Sequence, residues 1–114
     1  MPTQTAIDTS GVVTDVLAEL PIGKDATTSR VLVNNPLLRV VYFSFDAGQE
    51  LTEHASPRAV VVTLLSGAMD FTVGTQVHRL AAGDVVYLAP GERHALVAVE
   101  PCHLSLVMVD LDPA

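Results

Sequence analysis

The sequence holds few of the residue types from which disulfides, thiolate metal sites and nucleic-acid surfaces are built. Its 114 residues include one cysteine, Cys102, no tryptophan, and six lysines and arginines against thirteen acidic residues, for a formal net charge of −7. A single cysteine excludes an intrachain disulfide and a cysteine-based metal site, so we expect Cys102 to be a buried structural thiol. An acidic chain without a basic cluster argues against nucleic acid and membranes as partners.

Long apolar segments and several common catalytic motifs are also absent from the sequence. No apolar run approaches the length of a membrane-spanning helix, and the first ten residues lack the basic start and apolar stretch of a secretory signal. Gly-x-Ser-x-Gly elbows, phosphate-binding glycine loops and His-Glu-x-x-His sequences do not occur. We therefore expect a cytoplasmic protein of about one domain that carries out neither nucleophilic catalysis nor phosphoryl transfer.

Short apolar segments between turn signals are what the sequence has in abundance. Hydrophobic residues make up 49% of the chain, mostly valine, leucine and alanine, and valine-rich segments favour β-structure. Many short strands at this spacing indicate an all-β antiparallel sandwich or barrel, because each strand has one apolar face to bury. The predicted strands are residues 29–34, 37–46, 59–65, 68–73, 76–80, 84–88, 94–99 and 103–110.

The N-terminal part of the chain differs from this pattern. Residues 12–20 predict one short helix, because Val13, Leu17 and Leu20 fall on one helical face. The preceding residues are polar, and residues 21–28 have the composition of a connection. We therefore divide the chain into an N-terminal extension, residues 1–28, that is partly loose, and a β-barrel domain, residues 29–114.

Two histidines lie within glycine frames whose spacing is distinctive. The first frame runs from Gly48 through His54 to Gly67, and the second runs from Gly83 through Pro90-Gly91 to His94. In order and spacing these segments resemble the two motifs of the cupin superfamily. The resemblance covers roughly residues 37–110 and implies a small RmlC-like jelly-roll β-barrel, with both histidines pointing inward at the mouth of a pocket.

The resemblance also implies a divalent transition metal (Fe, Mn, Zn or Ni) held by histidines and a carboxylate. His54 and His94 match two of these ligands, but Ser56 stands where the family has a second histidine, and Val60 where it has glutamate. Two imidazoles are fewer than the three protein ligands of catalytic zinc or the two histidines and carboxylate of non-haem iron. His103 is a weaker candidate ligand, and a site without metal stays open.

Strand alternation predicts that His54, Ser56 and Val60 share one face while Glu53 points away. The predicted ligand pocket consists of His54, Ser56, Val60, Val62, Leu64 and His94, and an apolar pocket with few polar groups suits a small organic ligand. Two arginines close in sequence to the histidines, Arg58 and Arg93, are either carboxylate-binding groups or solvated charges at the rim. We expect His78 to be a surface residue.

Two classes of function are compatible with these residues. One is a small-molecule-binding cupin that is an enzyme, either a metal-dependent oxygenase or isomerase or a metal-free acid–base isomerase or epimerase. The other is a metal-free ligand-binding or sensing module without catalysis. The resemblance further implies a homodimer, for which the first forty residues are the expected interface.

Overall fold

The computed structural model describes residues 5–111, which form nine β-strands and no helix. None of these residues belongs to a helix that is long and apolar enough to cross a membrane. The strands are β1 (Thr27–Asn34), β2 (Leu38–Phe45), β3 (Glu50–His54), β4 (Ala59–Ser66), β5 (Ala68–Val73), β6 (Gln76–Ala81), β7 (Val85–Leu88), β8 (His94–Ala98) and β9 (Cys102–Val109).

The strands form two antiparallel sheets that enclose one core. The five-stranded sheet has the order β1-β2-β9-β4-β7, and the four-stranded sheet has the order β3-β8-β5-β6. The prediction of an all-β antiparallel jelly-roll fold is therefore confirmed. Strands β6 and β7 are the outermost strands of their sheets on one side of the molecule.

The core consists of the alternate residues that each strand turns inward. In β4, for example, Val60, Val62 and Leu64 are at most 4% exposed, whereas the residues between them are half-buried. The four-stranded sheet contributes Phe71 and Leu96 to the same cluster. Because a two-residue period selects one face of a strand, the apolar alternation in the sequence predicts this core directly.

Strand β3 is the element that the sequence did not predict. Four of its five residues are exposed, and its segment, Glu-Leu-Thr-Glu-His, has no apolar alternation. It lies at an edge of the four-stranded sheet, where it pairs only with β8. Its strand conformation therefore comes from backbone pairing with β8, a tertiary contact that a local propensity pattern does not record.

The predicted helix over residues 12–20 is wrong. The chain makes only a turn there, in which the Glu19 amide donates to the Asp15 carbonyl at 3.1 Å. Asp15 has a φ of 58°, in the left-handed region, so a right-handed helix cannot continue through it. Leu20 is 4% exposed, but Val13 and Leu17 are not buried, so the proposed apolar face has no surface to cover.

The segment around Leu20 is attached to the outer face of the five-stranded sheet. The Ser44 hydroxyl donates to the Pro21 carbonyl at 3.4 Å, and Nε2 of His103 donates to the Leu20 carbonyl at 2.7 Å. These bonds, with the buried Leu20 side chain, hold residues 20 and 21 against the sheet shortly before β1 begins at Thr27.

Candidate functional site

The two predicted site histidines meet across neighbouring strands because β3 contains a bulge. His54, the last residue of β3, pairs with His94, the first residue of β8, and Leu51 pairs with Leu96. The step between these pairs is three residues on β3 but two on β8, so β3 carries one extra residue. Strict alternation would place His54 on the opposite face from Leu51. The bulge returns His54 to the inner face, beside His94.

The two imidazole rings are in contact. Their centroids lie 4.1 Å apart, with 61° between the planes, in an edge-to-face arrangement. His94 is only 8% exposed, and its ring lies parallel to that of Phe71, with 6.0 Å between centroids and 5° between planes. His54 is exposed. His94 therefore forms the inner wall of the site, and His54 forms its outer rim.

Backbone carbonyl groups determine which ring nitrogen of each histidine carries the proton. Nδ1 of His54 lies 2.8 Å from the Thr52 carbonyl oxygen, and Nδ1 of His94 lies 3.0 Å from the Glu92 carbonyl oxygen. A carbonyl only accepts, so each Nδ1 donates, and in the neutral ring Nε2 holds the lone pair. Both histidines thus present Nε2 as a hydrogen-bond acceptor or metal ligand.

Burial lowers the pKa of His94 below the ordinary value for histidine, and the neighbouring His54 lowers it further. The backbone hydrogen bond to Glu92 and the Glu92 charge oppose this shift. Desolvation is the largest effect because the imidazolium ion loses its hydration against Phe71 and Leu96. The lowered pKa therefore favours the neutral form of His94.

Ser56 does not lie on a strand with His54, contrary to the alternation argument. It belongs to the loop of residues 55–58 between β3 and β4. Its Oγ accepts a hydrogen bond from the Arg58 amide at 3.1 Å, and its carbonyl accepts one from the Gly91 amide at 2.7 Å. Ser56 thus joins the β3–β4 loop to the β7–β8 loop, residues 89–93. Both loops pass from one sheet to the other beside His54 and His94.

The other predicted pocket residues belong to the packed core. Val60 is 4% exposed, and Val62 and Leu64 are fully buried. A solvent-open groove of about 280 Å³ lies instead between the edge strands β6 and β7, which do not pair with each other. It is lined by Val73, His78, Leu80, Val85 and Val86. Because Val73 pairs with His94, this groove borders the histidine pair.

His103 is not brought to the histidine pair. It pairs with Ser66, where β4 turns into β5, whereas His94 pairs with Val73 at the other end of β5. Its Nε2 donates to the Leu20 carbonyl at 2.7 Å, so its Nδ1 accepts from the Ser66 hydroxyl at 2.9 Å. With both nitrogens bonded to protein and the ring away from the histidine pair, His103 has the contacts of a structural residue.

The side chains of the site do not complete a metal-binding set. Within residues 5–111, no group of three or more histidine, cysteine, aspartate or glutamate side chains is placed to hold a metal ion. His54 and His94 supply two nitrogen donors, and the Ser56 hydroxyl is bonded within its own loop. Catalytic zinc requires three protein ligands, and non-haem iron requires a carboxylate in addition to two histidines. The donor set therefore does not fit a resident metal of either type.

The two arginines near the histidines are both paired with carboxylates. Nε of Arg58 lies 3.0 Å from Oδ1 of Asp110, and Nη1 of Arg93 lies 2.9 Å from Oε1 of Glu53. A third arginine, Arg39, was missed by the sequence analysis. Its Nε is buried and has no hydrogen-bond partner. The available signal was a charged residue inside an otherwise largely apolar predicted strand, two residues before Val41.

Comparison with known proteins places these features in context. The cupin domain model matches residues 41–110. A conserved protein of unknown function from Streptococcus pyogenes is 36% identical, with a TM-score of 0.82 over 98% of this chain and 97% of the other. KdgF from Halomonas sp. is 25% identical, with a TM-score of 0.68 over 75% and 81% of the two chains.

Salicylate 1,2-dioxygenase from Pseudoaminobacter salicylatoxidans is 18% identical and shares the fold, with a TM-score of 0.69. The match covers 73% of this chain and 25% of the dioxygenase chain. At this identity the likeness concerns the fold alone. The search of curated proteins gives no match.

Proposed function

Because this chain belongs to the cupin family, we propose that it binds a small organic molecule at His54 and His94, without a resident metal ion. The observation that carries the proposal is the pair of Nε2 lone pairs, which two independent Nδ1–H bonds to backbone carbonyls hold in place. Two adjacent acceptors recognise a ligand that supplies hydrogen-bond donors.

The surroundings of the pair support a ligand that is small and partly apolar. Phe71 and Leu96, which lie behind His94, are at most 3% exposed, so one side of the site is a dry apolar wall. A few fixed polar atoms against such a wall are typical of small-molecule sites. The lowered pKa of His94 favours its neutral ring, and a neutral imidazole can accept a proton, as the base of an isomerase would.

A metal-assisted oxygenase or isomerase is the second candidate. The observation in its favour is the Nδ1–H bond to a carbonyl on each histidine, which is the orientation that metal-ligating histidines adopt. A metal ion (Fe, Mn, Zn or Ni) would supply Lewis-acid or redox chemistry. The described side chains provide two ligands for it, so the other positions would have to be filled by water or substrate.

Metal titration separates the two candidates. Protein purified without a tag or chelator is analysed for metal, then mixed with Fe²⁺, Mn²⁺, Zn²⁺ or Ni²⁺, and the histidine ring signals are followed by NMR. We expect no stoichiometric metal and only weak shifts. One metal per chain in the wild type that is lost in His54→Ala, but kept in the control His103→Phe, would establish the metal-assisted candidate.

Ligand binding itself is tested with a library of small hydroxyl- and amine-bearing compounds. We expect some of them to shift the ring signals of His54 and His94, and to raise the melting temperature of the wild type and of His103→Phe but not of His94→Ala. A library that shifts neither ring, or binding that His94→Ala retains in full, would contradict the proposed function.

We extend the proposal to the organisation of the protein. We propose that residues 29–114 form the ligand-binding domain, that residues 1–28 form an extension, and that the protein is a cytoplasmic homodimer. Exposed apolar side chains support an interface, since Val12 is 88% and Tyr87 is 63% exposed. A monomeric mass by light scattering at micromolar concentration would contradict the dimer.

A further inference from the structure

We propose that Arg39 is the anion-binding residue of this site, and that the ligand is a small monocarboxylate carrying a hydrogen-bond donor. The inference rests on the proposed function, because it assigns a chemical class to the ligand of the same two histidines. Four observations carry it: the face on which Arg39 lies, the end of the barrel where it lies, its missing partner, and the charge of the chain.

The strand register places Arg39 on the inner face of the barrel. Arg39 pairs with Met108 on β9, Met108 pairs with Val60 on β4, and Val60 pairs with Leu88 on β7. Directly paired residues of antiparallel strands project from the same face. Val60 and Leu88 are core residues, and Met108 packs against the core. Arg39 is therefore the inward residue of β2 in this row.

The topology places Arg39 at the same end of the barrel as the histidines. Strand β2 runs away from Arg39 to Phe45, and residues 46–49 turn the chain into β3, which runs back to His54. This turn is fixed at the far end by the bond from the Gly48 amide to the Ala98 carbonyl, 2.8 Å. Arg39 is the second residue of β2 and His54 is the last residue of β3, so both lie at the same end of the barrel.

The guanidinium of Arg39 lacks the partners that the other arginines have. Within residues 5–111 it is the one arginine without a carboxylate in salt-bridge contact; the other pairs are Arg30–Glu19, Arg58–Asp110, Arg79–Asp70 and Arg93–Glu53. Its Nε is buried without any hydrogen-bond partner. A buried donor in this state costs free energy that an anion bound at the mouth would recover.

The chemistry of the mouth specifies a carboxylate with a donor group. A guanidinium binds a carboxylate through two parallel N–H···O bonds, a geometry suited to a planar anion. Arg39 supplies one positive charge, and the chain as a whole has a net charge of −7. This balance favours a monoanion over a doubly charged phosphate. The Nε2 atoms of His54 and His94 accept hydrogen bonds, so a hydroxyl group on the same ligand completes the match.

The experiment uses matched probes on the full-length protein. The probes are 2-hydroxypropanoate and 3-hydroxybenzoate, their carboxamides, and inorganic phosphate, each titrated to tens of millimolar. NMR follows the side-chain Nε–H signals of the arginines and the ring signals of the histidines. The variants are Arg39→Met, which removes the charge, and Arg39→Lys, which keeps the charge without the planar fork. Arg93→Met, which removes a paired rim arginine, is the control.

We expect at least one hydroxycarboxylate to shift the Arg39 Nε–H signal together with the His54 and His94 ring signals. Loss of a charge-assisted hydrogen bond predicts binding weaker by about tenfold or more in Arg39→Met, and for the matching carboxamide. Arg39→Lys should also bind more weakly than the wild type, whereas Arg93→Met should bind like the wild type. Signal dispersion and thermal unfolding verify that each variant is folded.

Several results would overturn the assignment of Arg39. They are an unshifted Arg39 signal with every carboxylate, equal binding of acid and carboxamide, equal binding by folded Arg39→Met, and phosphate binding at least as tight as that of the acids. If the carboxamides shift the histidine signals and Arg39→Met leaves this unchanged, the carboxylate inference fails while the proposed function stands. If no probe shifts either histidine while carboxylates still shift Arg39, the proposed function fails separately.

Discussion

Replacement of Phe71 by alanine tests whether burial is what keeps His94 neutral. Phe71 is 1% exposed, and its ring lies parallel to that of His94 at 6.0 Å. Removing a buried phenyl ring costs about 3–5 kcal/mol of unfolding free energy, a large part of the roughly 5–15 kcal/mol that such domains have. The cavity opens the inner side of His94, so its pKa should rise toward the ordinary value for histidine.

The assay combines an NMR titration of the histidine rings with urea unfolding. Phe45→Ala is the matched control, because Phe45 is fully buried in the same core but lies at the end of β2 opposite the histidines. Both alanine variants should lose similar stability, and only Phe71→Ala should raise the pKa of His94. If either variant is unfolded, Phe71→Leu and Phe45→Leu, which leave smaller cavities than the alanine variants, replace them.

An unchanged His94 pKa in folded Phe71→Ala would refute the reasoning, because desolvation is the largest cause assigned to the shift. An equal rise in both variants would refute it as well, since loosening of the whole core would then explain the change. The leucine pair permits the same comparison at a smaller amplitude.

Three further predictions concern pH, a glycine and a structural histidine. Burial lowers the folded pKa of His94 below its unfolded value of about 6.5, so the unfolded chain binds this proton first as the pH falls. The free energy of unfolding contributed by neutral His94 should be complete above that pH and lost as the pH falls through the folded pKa. Urea unfolding at several pH values should find a flatter profile in His94→Gln. Gly67→Ala should prevent or severely weaken folding, because a Cβ there would overlap the Pro101 carbonyl and lie 2.6 Å from the Cys102 Cβ, at a φ of 81°. Thermal unfolding measures the effect, and a wild-type melting temperature would contradict this prediction. His103→Phe should lower the free energy of unfolding by about 1–3 kcal/mol, because it leaves the Leu20 carbonyl without its donor. Ligand binding at the barrel mouth should stay unchanged. Loss of binding in the folded variant would contradict the structural role of His103.

Most of the strands could be predicted from the sequence because their signal is local. Apolar alternation in segments such as β4 and β5 reflects which face is buried, and the structure begins and ends both within one residue of the prediction. The helix over residues 12–20 failed for a related reason. Its apolar spacing was present, but the left-handed Asp15 and the absence of a surface for Val13 and Leu17 are not visible in a spacing pattern.

The expected thiol at Cys102 follows the same local logic as the strands. Cys102 is fully buried, and burial raises its pKa to about 11, as expected for an inert structural residue. The separate expectation for His78 was incomplete. It is exposed, yet it pairs with the inward Phe71 and lines the groove between β6 and β7, because an edge strand leaves inward residues open to solvent.

The sequence by itself determined the family, the jelly-roll class and the two histidines of the site, because glycine spacing and apolar alternation act over a few residues. Only the tertiary structure decided how those histidines are placed. A one-residue bulge in β3 turns His54 to the inner face, the end of β4 and the segment before β1 satisfy both nitrogens of His103, and the register of β2 with β9 turns Arg39 inward. Each of these depends on which strands become neighbours, a long-range choice made by the packing of the whole core rather than by any local segment.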